Sequence, residues 1–448
     1  MDVIRRYGWT WGAPALAALA LLNASRATPP LLSTAGTGVG ANLYNVVLLA
    51  VPAAAVAIGL WTSGRWPWLL VAGAAAKLPE VAWSHLHFFS GRPGARSVLW
   101  AVGGAGTALI VIGVLSAASL LRAGRGAALA GGLVGAVLLG STLLGLPWLD
   151  TPERSIGLDL GFAVLGLAGG ALAVHGARTG RVPEAEQAPV GRRAAVIGTW
   201  AALLPALLAV ADHLLLPVLP APVFATTGAG VLVLLCAVGL AATLGSGLRA
   251  STAGLVLFAV AAPLTLAIYF TAGQMTDVWP SAVAGLVVGV LVGRTRFAVA
   301  LAASACAVIG LTMATAGPVT GSYVEMASGE PLFLPAEVLV ALCLAAVTAT
   351  AATVAPDLAR RRALPVVLGP LLFGLVLSLR ALLQVFAQYE GSGTMLPEGS
   401  RTGLWAAWLG IATILLVTIA VLDRSARRQA ASPGDPAEEP AQVAGESR

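Results

Sequence analysis

The chain has 448 residues, of which 58% are hydrophobic and 10% charged, and a formal net charge of +6; its mean hydropathy is +0.88. Soluble domains carry about 25% charged residues, so this sequence cannot cover a globule with polar surface, and a water-soluble enzyme or binding domain is excluded. The basic balance does not mark a nucleic-acid partner either, because the cations are spread over short segments rather than gathered on one patch.

Apolar runs of roughly 17–25 residues read as membrane-spanning helices. In chain order they lie near 8–24, 43–62, 66–89, 97–120, 126–147, 156–175, 194–216, 223–244, 251–273, 278–293, 297–317, 334–355, 364–386 and 402–422. Backbone groups in lipid must bond within their own segment, so runs of this length are helices and not strands. The expected fold is therefore an all-α integral membrane bundle of about fourteen transmembrane helices, with the lipid bilayer as its first partner. Arg5 and Arg6 before a short apolar run can also open a signal peptide. No convincing small-x-small cleavage site follows Trp9-Thr10-Trp11, so span 1 is expected to stay as a helix.

Sidedness follows from arginine, which supplies every cation but one. With the N-terminus in the cytoplasm, nineteen arginines fall on the inner side and five (Arg26, Arg92, Arg96, Arg154 and Arg401) on the outer side. That split predicts a multi-pass protein of the cytoplasmic (plasma) membrane with both termini inside. The residues from 423 to 448, rich in Pro, Glu and Ser, read as a disordered cytoplasmic tail. No segment outside the spans is long enough for a soluble domain, which argues against a receptor or an enzyme with an external catalytic domain.

The longest inner loop, 176–193, divides the spans into a six-helix half at 1–175 and a second six-helix half at 194–355. Two additional helices follow at 356–422. Arg5-Arg6, Ser63-Gly64-Arg65 and Pro79 recur as Arg192-Arg193, Ser246-Gly247-Leu248-Arg249 and Pro263, at offsets of 183 to 187 residues. A 6+6+2 plan with parallel repeats is the organisation this predicts. After span 2, Gly59-Leu60-Trp61-Thr62-Ser63-Gly64-Arg65-Trp66 keeps the glycines and one arginine of the pattern G-x-x-x-D-x-x-G-R-[KR], and lacks its aspartate and second basic residue. Gly317-Pro318-Val319-Thr320-Gly321 matches G-P-x-x-G at the outer end of span 11. In these features and in its two halves joined by a basic loop, the chain resembles a fourteen-helix member of the major facilitator superfamily. That resemblance implies alternating access around a midplane site.

Lys77 is the one lysine of the chain and sits mid-way along span 3, with Pro79 and Glu80 following. A charge at the bilayer centre costs about 3 kcal/mol on insertion scales, so it should face protein or trapped water and have a partner. On a helix Lys77 and Glu80 share a face, and Pro79 removes an N–H and can bend the helix between them. Either they form a carboxylate and ammonium coupled to protons or substrate, or they form a permanent bridge that locks span 3. His85 and His87 follow at the outer end of the same span and titrate near physiological pH. Asp212 and His213 late in span 7, and Arg380 with Gln384 and Gln388 on one face of span 13, complete the candidates. An arginine in an apolar span needs a carboxylate, an anionic ligand or a route to the interface.

Cys236, Cys306 and Cys343 stand alone in apolar runs, with no metal or redox spacing; no cofactor and no metal are expected. Gly131-Gly132 with Gly135, and Gly166 with Gly169-Gly170, read as close-packing positions. Trp66, Trp68 and other tryptophans near span ends read as an aromatic belt. The leading function is a secondary transporter, with protons as a coupling partner and an unknown hydrophobic or amphiphilic small molecule as substrate, because few charges line the spans. No ATP-binding loop is present. A non-transporting scaffold is the alternative. A membrane enzyme on a lipid-linked donor is the third reading, and it finds only the loosely spaced Glu325 and Glu330; the chain is not expected to be an enzyme.

Overall fold

The computed structural model describes residues 8–23, 39–86, 93–121, 123–140, 152–182, 195–203, 278–295, 302–305, 336–360 and 363–372, with isolated positions at 254–255, 257–258, 297–298, 300 and 307–308. Every regular element among them is helical. Span 1 becomes a π-turn (Gly8–Gly12), the short helix α1 (Ala13–Ala18) and a 3₁₀ turn (Leu19–Asn23). The long helices are α2 (Val39–Trp61), α3 (Trp66–Leu86), α4 (Pro93–Ala118), α5 (Ala123–Gly140), α6 (Pro152–Arg178), α7 (Val278–Val292) and α8 (Ala336–Arg360). Helical residues at 195–203 and 364–372 begin spans 7 and 13. Spans 8 and 14 lie outside the described residues.

Each long helix falls on an expected span, but several run past its ends. α6 starts at Pro152, four residues before the apolar run, and ends three residues after it. Proline suits the first helical position, where its missing N–H is not needed. At the far end Gly180 adopts φ +65°, and the amides of Arg181 and Val182 both donate to the Gly176 carbonyl, at 2.9 and 3.1 Å. A left-handed residue at this point turns the chain and satisfies the orphan carbonyl of the last turn. Apolar length measures the part in lipid, whereas the hydrogen-bonded helix continues into the interface.

Windows long and apolar enough to cross a membrane occur at Ala101–Ala118, Gly157–Arg178 and Glu337–Ala359, with shorter apolar helices at Trp9–Leu22, Ala50–Trp61 and Pro280–Val292. α3, at 21 residues, is about 31 Å long at the helical rise of 1.5 Å per residue. α6 exposes Leu158, Leu160, Val164, Leu165 and Leu172, and α7 exposes Val283, Val287, Val288 and Leu291. Leucine and valine outward with alanine and glycine inward is the arrangement lipid favours, since tight packing rather than water exclusion draws such helices together.

The helix directions alternate as odd and even spans require. Gly59 and Gly104 of α2 and α4 rest on Ile112 and Pro52 respectively, so these two run parallel. Gly73 of α3 meets Gly106 and Ile110, and Gly113 of α4 meets Leu70, so α3 and α4 are antiparallel. Gly169 and Gly176 of α6 meet Ala17 and Trp9, while Gly170 meets Val71 and Arg178 lies over Trp68, so α6 opposes both span 1 and α3. On the other side, Gly285, Gly289 and Gly293 at four-residue spacing lay α7 along Ala341, Ala345 and Ala349 of α8. Gly131 and Gly135 bring α5 against that pair, while Gly132 beside them has open space. α5 therefore packs on both α7 and α8.

Buried hydroxyls inside this core donate to carbonyls of their own helix: Ser116 to Ile112 at 2.7 Å, Thr348 to Leu344 at 2.6 Å and Thr350 to Val347 at 2.8 Å. Such back-bonding gives these three hydroxyls a partner where water is absent. One belt assignment is corrected. Trp66 is 1% exposed and belongs to the core, whereas Trp61, Trp68 and Trp200 are exposed. The reason is register: Trp66 lies seven residues before Gly73, two turns along the α4-facing side of α3.

Candidate functional site

α3 is continuous from Trp66 to Leu86 and carries Pro79 within it. Its α4-facing side is built from small residues. A methyl group on Gly106 would stand 2.6 Å from the Gly73 carbonyl oxygen, and one on Gly73 would stand 2.7 Å from the Gly106 carbonyl. The two backbones thus touch at a mutual glycine crossing, one turn before Lys77. The stem of Lys77 lies on that crossing, 3.3 Å from the position a methyl group on Gly106 would take.

Lys77 is 1% exposed and is among the largest fully buried side chains of the described residues. It has an interaction partner, as a buried ammonium must. Glu80 follows on the same helix, one turn toward its C-terminal end; its side chain, and that of His85, lie outside the described part of α3. His87, Asp212, His213, Arg380, Gln384 and Gln388 all fall outside the described residues. Cys343 is a buried thiol in α8. No group of three metal-ligating side chains occurs among the described residues.

Asp159 is the residue the sequence reading passed over. It is 8% exposed, although its neighbours Leu158 and Leu160 are 41% and 52% exposed. Together with Lys77 it makes up the buried charged set of the described residues, and it too has an interaction partner. It precedes Gly170 by eleven residues, close to three full turns, so both occupy the α6 face that meets Val71 of α3. From that contact Lys77 lies six residues along α3, about 9 Å, and Asp159 eleven residues back along α6, about 16 Å. Because the helices are antiparallel, the two charged residues differ by about 7–8 Å in level, and Glu80 lies within about 3 Å of Asp159's level. The signal was present in Ile156-Gly157-Leu158-Asp159-Leu160, a carboxylate flanked on both sides by apolar residues.

At the opposite end of α6 an aromatic and cationic cluster closes the bundle. The Arg178 guanidinium lies 5.1 Å from the Trp68 ring centre, and that of Arg181 5.3 Å from Trp9. The Trp9 and His175 rings are 5.7 Å apart, tilted by 39°. These contacts tie the starts of spans 1 and 3 to the end of span 6, which places those three ends together.

No protein-family model matches the sequence, and a search of curated proteins finds no match. Among solved structures, the chain is similar to the POT family transporter PepTSo, at 15% identity, over 95% of this chain and 99% of that one, with a TM-score of 0.48. It is similar to the human organic anion transporter MFSD10 (TETRAN), at 14% identity over 93% and 99%, TM-score 0.48. A double-tryptophan mutant of XylE is also similar, at 15% identity over 94% of each chain, TM-score 0.36. All three scores are below 0.5, so what this chain does has to be read from its own residues.

Proposed function

We propose that this chain is a secondary active transporter of the cytoplasmic membrane, which couples proton movement to efflux of a hydrophobic or amphiphilic small molecule. In this reading it has fourteen spans, both termini inside, six-helix halves at 1–175 and 194–355, and two further helices at 356–422. The observation that carries it is the burial of Lys77 in mid-helix. A buried ion pair adds little stability over a well-packed apolar pair, so a lysine kept at this depth calls for a use beyond packing. Glu80, one turn away, is the carboxylate that would load and release the proton. The scarcity of charges in the spans favours a substrate that partitions into lipid over a sugar phosphate or a peptide. His85, Asp212, His213, Arg380 and Gln384 are the further candidates for the path.

The test is ethidium efflux from everted vesicles energised by a proton gradient. Glu80→Gln should abolish gradient-driven efflux while the protein stays folded; efflux at the wild-type rate at every pH would refute the role of Glu80. The second reading, a membrane scaffold, is favoured by how completely Lys77 is enclosed. It predicts that no membrane-impermeant reagent reaches α3 at this depth.

A further inference from the structure

We propose that Asp159 is a second carboxylate of the Lys77 site, so that one ammonium serves two acids and a proton neutralises whichever acid the ammonium leaves. This rests on the transport reading above and names a residue that reading did not include. Three observations point to it. The chain buries Asp159 and leaves the leucines on either side of it outward, so the acid is turned into the bundle and away from lipid. It stands on the α6 face that meets α3, as Gly170 against Val71 shows. Its level along the bundle is close to that of Glu80, with Lys77 about 7–8 Å away along the axis, a separation that a lysine's flexible four-carbon stem can narrow.

Among the described elements few other charges stand near this level. The described elements that pack most on α6 are α3, α1, the π-turn Gly8–Gly12 and the 3₁₀ turn Leu19–Asn23. Only α3 among them brings ionisable groups toward this level: Lys77, Glu80 and His85. On α6 itself Glu153 and Arg154 precede Asp159, and His175 and Arg178 lie at the far end. One ammonium and two carboxylates sum to an excess negative charge in a medium where a lone charge is expensive. A proton on one carboxylate removes the excess. Movement of the ammonium from one acid to the other then decides which acid holds the proton.

Dicyclohexylcarbodiimide reacts with protonated carboxyl groups in apolar surroundings and needs no substrate, so it tests the proposal on the purified full chain. Labelling is mapped by mass spectrometry. In the wild type, label should appear at both Asp159 and Glu80, summing to about one per chain, because one of the two acids is neutral at a time. Asp159→Asn leaves one acid to one ammonium, and label at Glu80 should fall at least fivefold. Lys77→Met removes the ammonium, and label should approach two per chain. Asp159→Glu keeps the charge and should label like the wild type; it guards against reading a misfolded Asp159→Asn protein as support. An unlabelled Asp159 in the wild type, or label at Glu80 unchanged by Asp159→Asn, would overturn the proposal. Ethidium efflux on the same preparations separates the two ideas. Shared labelling without efflux in the wild type sinks the transport reading and leaves the shared proton standing, while efflux without label at Asp159 does the reverse.

Discussion

Substituting alanine at Gly106 should loosen the bundle where it holds Lys77. The added methyl group would lie 2.6 Å from the Gly73 carbonyl oxygen, 3.1 Å from the Ala76 Cβ and 3.3 Å from the Lys77 Cγ. An ordinary carbon–oxygen contact is about 3.3 Å, so α3 and α4 would have to part by about 0.7 Å, a gap that forfeits a quarter to a half of each dispersion contact along the crossing. Overpacking of this kind costs about 1–3 kcal/mol. Alanine returns about 0.5–1 kcal/mol relative to glycine within a helix, which leaves a net loss of up to about 2.5 kcal/mol, with a middle value of about 1 kcal/mol and a shift of roughly 5- to 10-fold in the folding equilibrium. Gly132→Ala is the matched control, because nothing lies within 4 Å of a methyl group there and the propensity gain stands alone. Both are measured by denaturant titration in detergent micelles. If Gly106→Ala proves as stable as Gly132→Ala, the glycine crossing is not what encloses Lys77.

Other expected outcomes follow from the same contacts. Lys77→Met should destabilise the protein by about 3 kcal/mol, the lower end for breaking a buried pair, because a proton takes over part of the ammonium's role; adding Glu80→Leu should recover most of the loss in the same titration, and failure to recover would argue against pairing on α3. Gly180→Ala should cost about 1–2 kcal/mol, since φ +65° is strained for a residue with a Cβ, and should speed amide exchange at Arg181 and Val182 while sparing the middle of α6. Trp68→Ala should cost about 0.5–1 kcal/mol from the exposed cation–π contact with Arg178, and pairing it with Arg178→Gln should add little; full additivity would show that the ring and the guanidinium act separately.

The positions of the helices were legible because lipid leaves an apolar run few alternatives. Their ends were not. Pro152 and Gly180 extend and stop α6 by backbone chemistry that hydropathy does not measure. Lys77 announced itself as a lone lysine among apolar residues, but the Gly73–Gly106 crossing that encloses it depends on which helix lies opposite, and no local pattern carries that. Trp66 looked like its neighbour Trp68 in sequence; two positions of helical rotation send one into the core and the other outward. Asp159 was legible by the rule that singled out Lys77, which was not applied to it. Its burial comes from the face it shares with Gly170, which only pairing with α3 reveals. Pro79 lies inside a continuous α3, as Pro52 does in α2 and Pro356 in α8, so a proline that can bend a helix does not end it here.

The central claim is that the Lys77 region is a working site reached by water from each side in turn, and single cysteines beside it test this most directly. With Cys236, Cys306 and Cys343 replaced by serine, Ala76→Cys and Val81→Cys leave both charges in place. A membrane-impermeant maleimide should label them from either face of sealed vesicles, with the balance between faces shifting when a proton gradient is imposed. Silence from both faces at both positions, in protein that folds and inserts, would contradict the account and leave a static, sealed bridge.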